Sequence, residues 1–384
     1  MTASEFSARL AGRAFDIGRT AWNACANPEG AASPHPFTRY EFFDAVEGSG
    51  SATARTGWRP LHLVVERDGE IEGILPLYLK NHSQGEYVFD HAWADALERA
   101  GGDYYPKLQA SVPFTPATGR RFLTKSDDAR TALLMAGRAA VKELDASSLH
   151  VTFLTAEEWR AAGEAGYLLR ADQQFHWQNR GYTSFDQFLA ELSSSKRKNL
   201  RKEREAVRAA GVAFDWLTGC DLTEAHWDAF FEFYMDTGGR KWGHPYLTRD
   251  FFSRVGKSMA DQILLVMARM GGRPIAGALN FFGDGVLYGR NWGCSEFVPF
   301  LHFETCYYQA IEFAIARGLA KVEAGAQGEH KLLRGYLPVA TYSAHYIAHP
   351  GLRRAVDDYL VRERDAVAAH IEELAEHGPF RKDG

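Results

Sequence analysis

The chain has 384 residues, 46% of them hydrophobic and 24% charged, which is enough for two domains with separate cores. A formal charge of -5 argues against a dedicated nucleic-acid protein, because phosphate binding needs a basic field, so any basic face must be local. Cys25, Cys220, Cys294 and Cys306 show no C-x-x-C spacing, which predicts reduced thiols and neither a disulfide framework nor a zinc site. The first residues lack the unbroken apolar core of a signal peptide and no later run approaches a membrane span, so a cytoplasmic location is expected.

In chain order, "LHLVVERDGEIEGILPLYLK" (61–80) predicts a hairpin turning at Asp68-Gly69, with "GEYVFDHAW" (85–93) as a third strand. "DDARTALLMAGRAAVKEL" (127–144) predicts a helix and "SLHVTFLT" (148–155) a strand. Two helices follow in 183–212, the first opened by a capping box at Ser184 and Gln187. The second is basic, with Arg197, Arg201, Arg204 and Arg208 expected along one face. "LTEAHWDAFFEFYMDTGG" (222–239) is a helix with Trp227, Phe230, Phe231 and Tyr234 as its core stripe. A glycine-bounded loop carrying Arg240, Lys241, Trp242, His244 and Tyr246 is expected after it.

The second half then repeats the first. "QILLVMARMGGRPIAGALNFF" (262–282) turns at Gly271-Gly272, and its "I-x-G" at Ile275–Gly277 matches Ile71–Gly73. "GVLYGRNWG" is the third strand of this meander, with Tyr288, Arg290 and Trp292 spaced by two. A helix over 300–318 and a strand in "LAKVEAGA" close the unit. The amphipathic segment 353–378 is read as a packing or dimerising helix, so a homodimer is one expectation. The domains read as 1–175, 176–345 and a C-terminal helix over 346–384. In the first half, Asp90, His91 and Lys107 lie in a stretch dense in polar and aromatic residues, and a cleft between the halves could gather residues from both.

The densest polar cluster is "EAGAQGEHKLLRGYLP" (323–338), just past a predicted strand end, where open α/β sheets usually place ligands. It holds Glu323, Gln327, Glu329, His330, Lys331 and Arg334. Lys331 and Arg334 share a face if a helical turn begins after Gly328, presenting two cations to a phosphate or a developing oxyanion. No metal-ligand spacing accompanies it, so no metal is expected. Walker and acyl-CoA pyrophosphate loops are both missing, and Cys306 reads as a small core residue inside an apolar helix.

Together, "GEYVFDHAWADA", "YYPKLQASVPFTPATG", "SSSKRKNLRKERE", "RKWGHPYLTRDFF", "LYGRNWGCSEFVPFLHFETCYYQAIEFAI" and "EAGAQGEHKLLRGYLP" closely resemble the FemAB-like N-acyltransferases. These belong to the GNAT superfamily and are related to the Fem-type enzymes of peptidoglycan cross-bridge synthesis. The resemblance covers roughly residues 35–350. It implies an α/β fold of two tandem GNAT-like domains with mixed, mainly antiparallel sheets. It implies acyl or aminoacyl transfer to an amine-bearing small molecule or peptide by direct attack, with acyl-CoA or aminoacyl-tRNA as donor co-substrate and no permanently bound cofactor.

The missing CoA loop favours the tRNA donor, whose phosphates would meet the four arginines from Arg197 to Arg208. Fem-type enzymes carry a lysine in a Phe-Lys-x-Gly-Phe-like segment, whereas this chain has Leu-Leu-Arg-Gly-Tyr with Leu333 at that offset. Lys331 and Arg334 are the candidates to stabilise the oxyanion, with Glu323, Glu329 or His330 as base. Arg290, Trp292, Arg240, Lys241, Trp242, Tyr246, Gln327, Asp90, His91 and Lys107 are the candidate substrate contacts. The alternative is a catalytically degenerate module of the same fold that binds a peptide or cell-wall precursor.

Overall fold

The computed structural model describes residues 5–242, 245–325 and 328–381, with the side chains at 240–242 and 329 also left aside. The strands are β1 (Ser7–Ala11), β2 (Trp58–Pro60), β3 (His62–Arg67), β4 (Glu70–Leu75), β5 (Leu77–Lys80), β6 (Lys107–Ala110), β7 (Leu123–Thr124) and β8 (Ser148–Leu154). They continue with β9 (Leu168–Gln178), β10 (Val212–Leu217), β11 (Ile263–Met270), β12 (Arg273–Gly283), β13 (Val286–Cys294), β14 (Lys321–Glu323) and β15 (Leu337–Ile347). The chain divides into two units. The first comprises the residues through Asp172 plus Ala340–Ala369, and the second comprises Gln173–Val339 plus the residues from His370 onward. Residues 340–345 thus group with the first unit and not the second. Of the C-terminal helix Pro350–Glu376, read from sequence as a separate element, most also groups with the first unit.

In the first unit the expected β3–β4 hairpin forms, with Asp68 at φ 54° and Gly69 at φ 83°, the left-handed pair that a two-residue turn requires. β1 and β7 flank it. A second sheet runs β2-β5-β6-β8, with β15 beside β8, and all its pairs are antiparallel except β6 with β8. The helix Asp127–Glu143 starts where Ser126 caps the Ala129 amide and buries Leu133, Leu134, Ala140 and Val141 against Leu63, Leu75, Leu108 and Leu149.

"GEYVFDHAW" is not a strand. Residues 85–90 are irregular and His91–Arg99 is a helix. Its Trp93, Ala94 and Leu97 fall on one helical face and pack with Leu352, Val356 and Leu360, a contact that local strand propensity does not anticipate. Those three leucine and valine side chains place the start of the C-terminal helix in the first unit's own core.

In the second unit β10 to β13 form an antiparallel meander that turns at Gly271-Gly272 and Asp284-Gly285, all four at positive φ. β14 joins β13 in parallel, and β9 pairs antiparallel with β14. One face carries the helix Glu224–Trp242, which lies so close because Gly277 and Gly293 are register partners. A Cβ on Gly293 would fall 2.1 Å from the Phe233 carbonyl oxygen, and one on Gly277 would fall 2.8 Å from the Phe230 ring. This helix runs through Gly238-Gly239 to Trp242, where a loop is expected from sequence; Gly238 packs where a Cβ would meet Pro245 at 2.5 Å. The other face is covered by the helical stretch from Leu301 to Ala316, whose Tyr308, Ile311 and Ile315 are buried as their spacing predicts. Among the described residues no helix is long and apolar enough to cross a membrane.

Gly293→Ala must push backbone against backbone and is expected to destabilise the chain by about 3 kcal/mol, read as a lowered melting temperature. Gly271→Ala, whose Cβ meets nothing, should cost only about 1 kcal/mol for its positive φ. Equal losses from the two would show that the glycine groove does not seat the helix.

Candidate functional site

The site begins with a mismatch in strand length. β14 pairs with β13 over three positions only, Val286 with Lys321, Leu287 with Val322 and Tyr288 with Glu323. β13 runs on to Cys294, so the two parallel strands part at their carboxyl ends, where α/β sheets hold ligands. A bulge sits at the parting. Leu279 faces Asn291 and Asn280 faces Gly289, which leaves Arg290 as the extra residue.

A pocket of about 90 Å³ opens there, lined by Asn280, Gly289 and Ala324 below and by Trp292, His302, Cys306 and Tyr307 around it. The last two come from a π-helical turn, Glu304–Tyr308, inside the helix that follows Phe300. Such turns re-aim side chains and concentrate at functional sites. Here the turn is anchored by buried Glu304, which accepts from Arg204 at 2.9 Å and from Gln309 at 2.8 Å.

The segment 323–338 folds into a short 3₁₀ helix, Glu329–Arg334, that closes at Gly335 in the left-handed region. Lys331 is 2% exposed and donates to the Gly325 carbonyl at 2.9 Å. Among the described residues no carboxylate pairs with it. Burial pushes its pKa down to about 8, with Cys306 opposing that shift.

Arg334 differs from the expectation of a second offered cation. It donates to Glu203 at 2.8 Å and to the His330 carbonyl at 2.8 Å, and its guanidinium stacks 3.4 Å over the Phe303 ring. Tyr308 donates to the other oxygen of Glu203. Arg334 therefore ties the 3₁₀ helix to the helix Ser194–Ala209. His330 is exposed, with Nε2 3.0 Å from the Tyr307 hydroxyl at the pocket wall.

Glu323 is buried, its Oε1 held by Lys321 at 2.6 Å and 3.9 Å from His176, while Oε2 has no partner among the described residues. Burial pushes His176 down to about 4, with Glu323 opposing the shift and Lys321 and Lys331 adding to it. Sequence reading passed over His176. Its only local signal is that it shares a strand face with Gln174, and the pairing with Glu323 is long-range.

The remaining candidates scatter. Arg290 and Trp292 line the pocket, with Trp292 5.2 Å from His302 edge to face. Tyr246 is exposed and is not among the pocket residues. The side chains of Arg240, Lys241, Trp242 and Glu329, and Gln327 and His244 entirely, lie outside the described residues.

Asp90 and Lys107 belong to a buried network of the first unit. They are 2.6 Å apart, joined by Tyr104 at 2.7 Å from Asp90 and by Glu86 at 3.3 Å from Lys107. Burial alone would raise Asp90, but Lys107 and His150 hold it well below the usual carboxylate range. His91 is exposed on the helix next to Asp90.

The basic helix also needs correction. Leu200, Glu203, Arg204 and Val207 form its inward face, so Arg204 is bound by Glu304 and Glu312 and stacks on Phe185. Arg201 and Arg208 are exposed, and Arg197 is half-buried with a long bond to the Ala190 carbonyl. A spacing of four, three and four does keep the four arginines along one side of the helix, but that side borders the buried stripe of Leu200 and Val207, so Arg204 is taken up by Glu304 and Glu312 and the four do not form one open face. No group of three His, Cys, Asp or Glu among the described residues could hold a metal ion.

Two units of mixed, mainly antiparallel sheet, the second with parting parallel strands and a lined pocket, make up a tandem GNAT-like fold. The chain belongs to the FemAB-like family, described as peptidoglycan biosynthesis/recognition, whose model matches residues 13–382. Among solved structures it is similar to FemX, at TM-score 0.55 and 12% identity over 89% of this chain and 98% of that one. L-PGS from Bacillus licheniformis gives 0.51 and 11% over 85% and 98%. A tandem GNAT protein from the clavulanic acid biosynthesis pathway gives 0.48 and 12% over 90% and 99%. No curated protein matches the chain.

The Lys331 ammonium carries a measurable sign. Its folded pKa of about 8 lies below the usual lysine value near 10.4, so the burial cost is full below pH 8 and is relieved as pH rises towards 10. Lys331→Met is therefore expected to stabilise the fold by about 2–3 kcal/mol at pH 7 and by little at pH 10, read by urea unfolding at both values. Glu203→Gln should do the opposite, because it leaves the Arg334 guanidinium buried beside a neutral amide. A loss of about 3 kcal/mol is expected.

Proposed function

We propose that this chain is an N-acyltransferase that moves an acyl or aminoacyl group from a donor co-substrate to an amine, with the pocket at the β13–β14 parting as the acyl site. The observation that carries this reading is Lys331, a buried ammonium with no described carboxylate partner, which is not itself a lining residue of the pocket but is coupled electrostatically to Cys306, which is one. An isolated buried cation costs stability, and negative charge developing on a carbonyl oxygen would remove that cost in the transition state.

In this mechanism the acceptor amine attacks the donor carbonyl directly, and the oxygen gains the charge that Lys331 meets. The amine's proton passes to His330, whose exposed ring lies 3.0 Å from the hydroxyl of the pocket-lining Tyr307. Arg290, the extra residue of the bulge, is placed to anchor an acidic group of either substrate. Arg334 acts through Lys331 by fixing the 3₁₀ helix and is a positioning residue.

The family description supports a peptide or cell-wall precursor as the amine-bearing acceptor. The exposed Lys198, Arg201, Lys202 and Arg208 support a phosphate-bearing donor, and aminoacyl-tRNA and acyl-CoA both satisfy that chemistry.

The test is transfer from acetyl-CoA and from charged tRNA to an amine-bearing peptide by the purified chain. Lys331→Met should lose about a hundredfold or more in kcat while melting no lower than the wild type. The wild-type rate should fall as pH rises through about 8, where Lys331 loses its charge. A folded Lys331→Met enzyme with full activity would overturn the assignment, and binding of donor without product would make the chain a recognition module.

A further inference from the structure

β10 is an outer strand without the usual protection. An exposed strand edge offers unpaired amide and carbonyl groups to any other chain, and proteins blunt such edges with short strands, prolines, lysines or bulges. β2 has three residues and ends in Pro60, and β7 has two. β10 has six, Val212–Leu217, and pairs with β11 in unbroken register along one edge. Among the described residues no strand lies along its other edge. It holds no proline or lysine, and its one charged side chain, Asp215, accepts from Arg269 of β11 at 2.7 Å.

The open edge is concave and aromatic. A groove of about 530 Å³ follows it, lined by Phe214, Asp215, Trp216, Leu217 and Gln309. Side chains alternate across a strand, so Phe214 and Trp216 share the face that the helix Gln309–Ala316 covers. Trp216 is 36% exposed; its indole donates to Gln309 at 2.8 Å and meets the Phe313 ring edge to face at 5.5 Å. Ala213, Asp215 and Leu217 point to the opposite face, and Arg269 is the register partner of Ala213.

We propose that β10 pairs antiparallel with β10 of a second copy of this chain, across a two-fold axis at Asp215, and so extends the sheet from one copy into the next. The register selects this occupant over a foreign peptide. With the axis normal to the sheet at Asp215, Phe214 stands opposite Trp216 of the second copy and Ala213 opposite its Leu217, each contact made twice. Apolar side chains then meet apolar ones on both faces. The two Asp215 carboxylates meet at the axis, and each brings its own Arg269, so the negative charges are matched. An axis at Phe214 would set Ala213 against Asp215, and one at Trp216 would set Leu217 against Asp215. The same contact leads towards the acyl pocket, because Gln309 also donates to Glu304, the anchor of the π turn whose Cys306 and Tyr307 line it.

Six residues a side are fewer than the roughly 20–30 of a standard interface, so a dissociation constant of about 1–100 µM is expected. Sedimentation equilibrium of the full chain from about 1 to 200 µM should therefore show the mean mass rising from one chain to two. Trp216→Lys, which puts a charge into the pairing edge, should hold the mass at one chain throughout while the circular dichroism spectrum stays unchanged. The register is read by oxidative cross-linking in a Cys220→Ser background, which removes the exposed native thiol. Asp215→Cys faces itself across the axis at a Cα separation of about 4.5–5.5 Å and should give a disulfide-linked dimer. Ala213→Cys, offset from its own counterpart by about four residues of strand, should not.

A single chain at every concentration overturns the proposal, whether or not the edge then takes up an extended peptide. A dimer that Trp216→Lys leaves intact overturns it too, since the copies then meet elsewhere. Equal cross-linking of the two cysteine variants overturns the register and with it the assignment. If Trp216→Lys does not fold, the two cysteine variants decide alone.

Discussion

The three-residue length of β14 is the constraint on which the second unit depends. A parallel strand that stops at Glu323 leaves the rest of β13 without a strand neighbour on that side among the described residues, and backbone groups inside a sheet must find partners elsewhere. The bulge at Arg290, the turn through Ala324 and Gly325, and the π turn at Glu304–Tyr308 all sit around that gap. Each is an irregularity that costs something on its own. Together they surround one pocket, as expected when local rules are broken for a site.

Electrostatics then decides which groups in the gap stay available. Arg204 is matched by Glu304 and Glu312, Arg334 by Glu203, and Lys321 by Glu323. These pairs are partly or wholly buried, so they serve mainly to fix geometry. They hold the helix Ser194–Ala209, the π turn and the 3₁₀ helix in one arrangement. Lys331 stands apart because its described partner is a carbonyl and not a carboxylate, and a lone buried ammonium is retained at a cost.

The first unit contains a comparable parallel pair, β6 with β8, and treats it differently. β6 ends at Ala110, opposite Val151, while β8 continues, and the carbonyl of the next β8 residue, Thr152, accepts from Arg121. That side chain is 1% exposed and donates to the carbonyls of Ala117, Gly119, Arg120 and Thr152, while Glu158 accepts from its backbone amide. A guanidinium with five donors suits a cage of carbonyls. The same strand geometry thus meets a buried guanidinium in one unit and a pocket in the other.

Local features were legible from the sequence alone. The hairpins at Asp68-Gly69 and Gly271-Gly272, the helix from Ser126, and the stripe of Tyr308, Ile311 and Ile315 follow from turn chemistry and periodicity over a few residues. Family membership was legible too, because long motifs survive where pairwise identity to solved structures is only 11–12%. Tertiary structure alone decided that residues 91–99 are helical, that Arg204 and Arg334 are engaged by carboxylates, and that His176 faces Glu323. It also decided that Cys306 lines a cavity and is not sealed in a core. These depend on contacts between residues tens to hundreds of positions apart. A side chain's charge is written in its own residue, but its freedom is set by whichever distant group the fold brings against it.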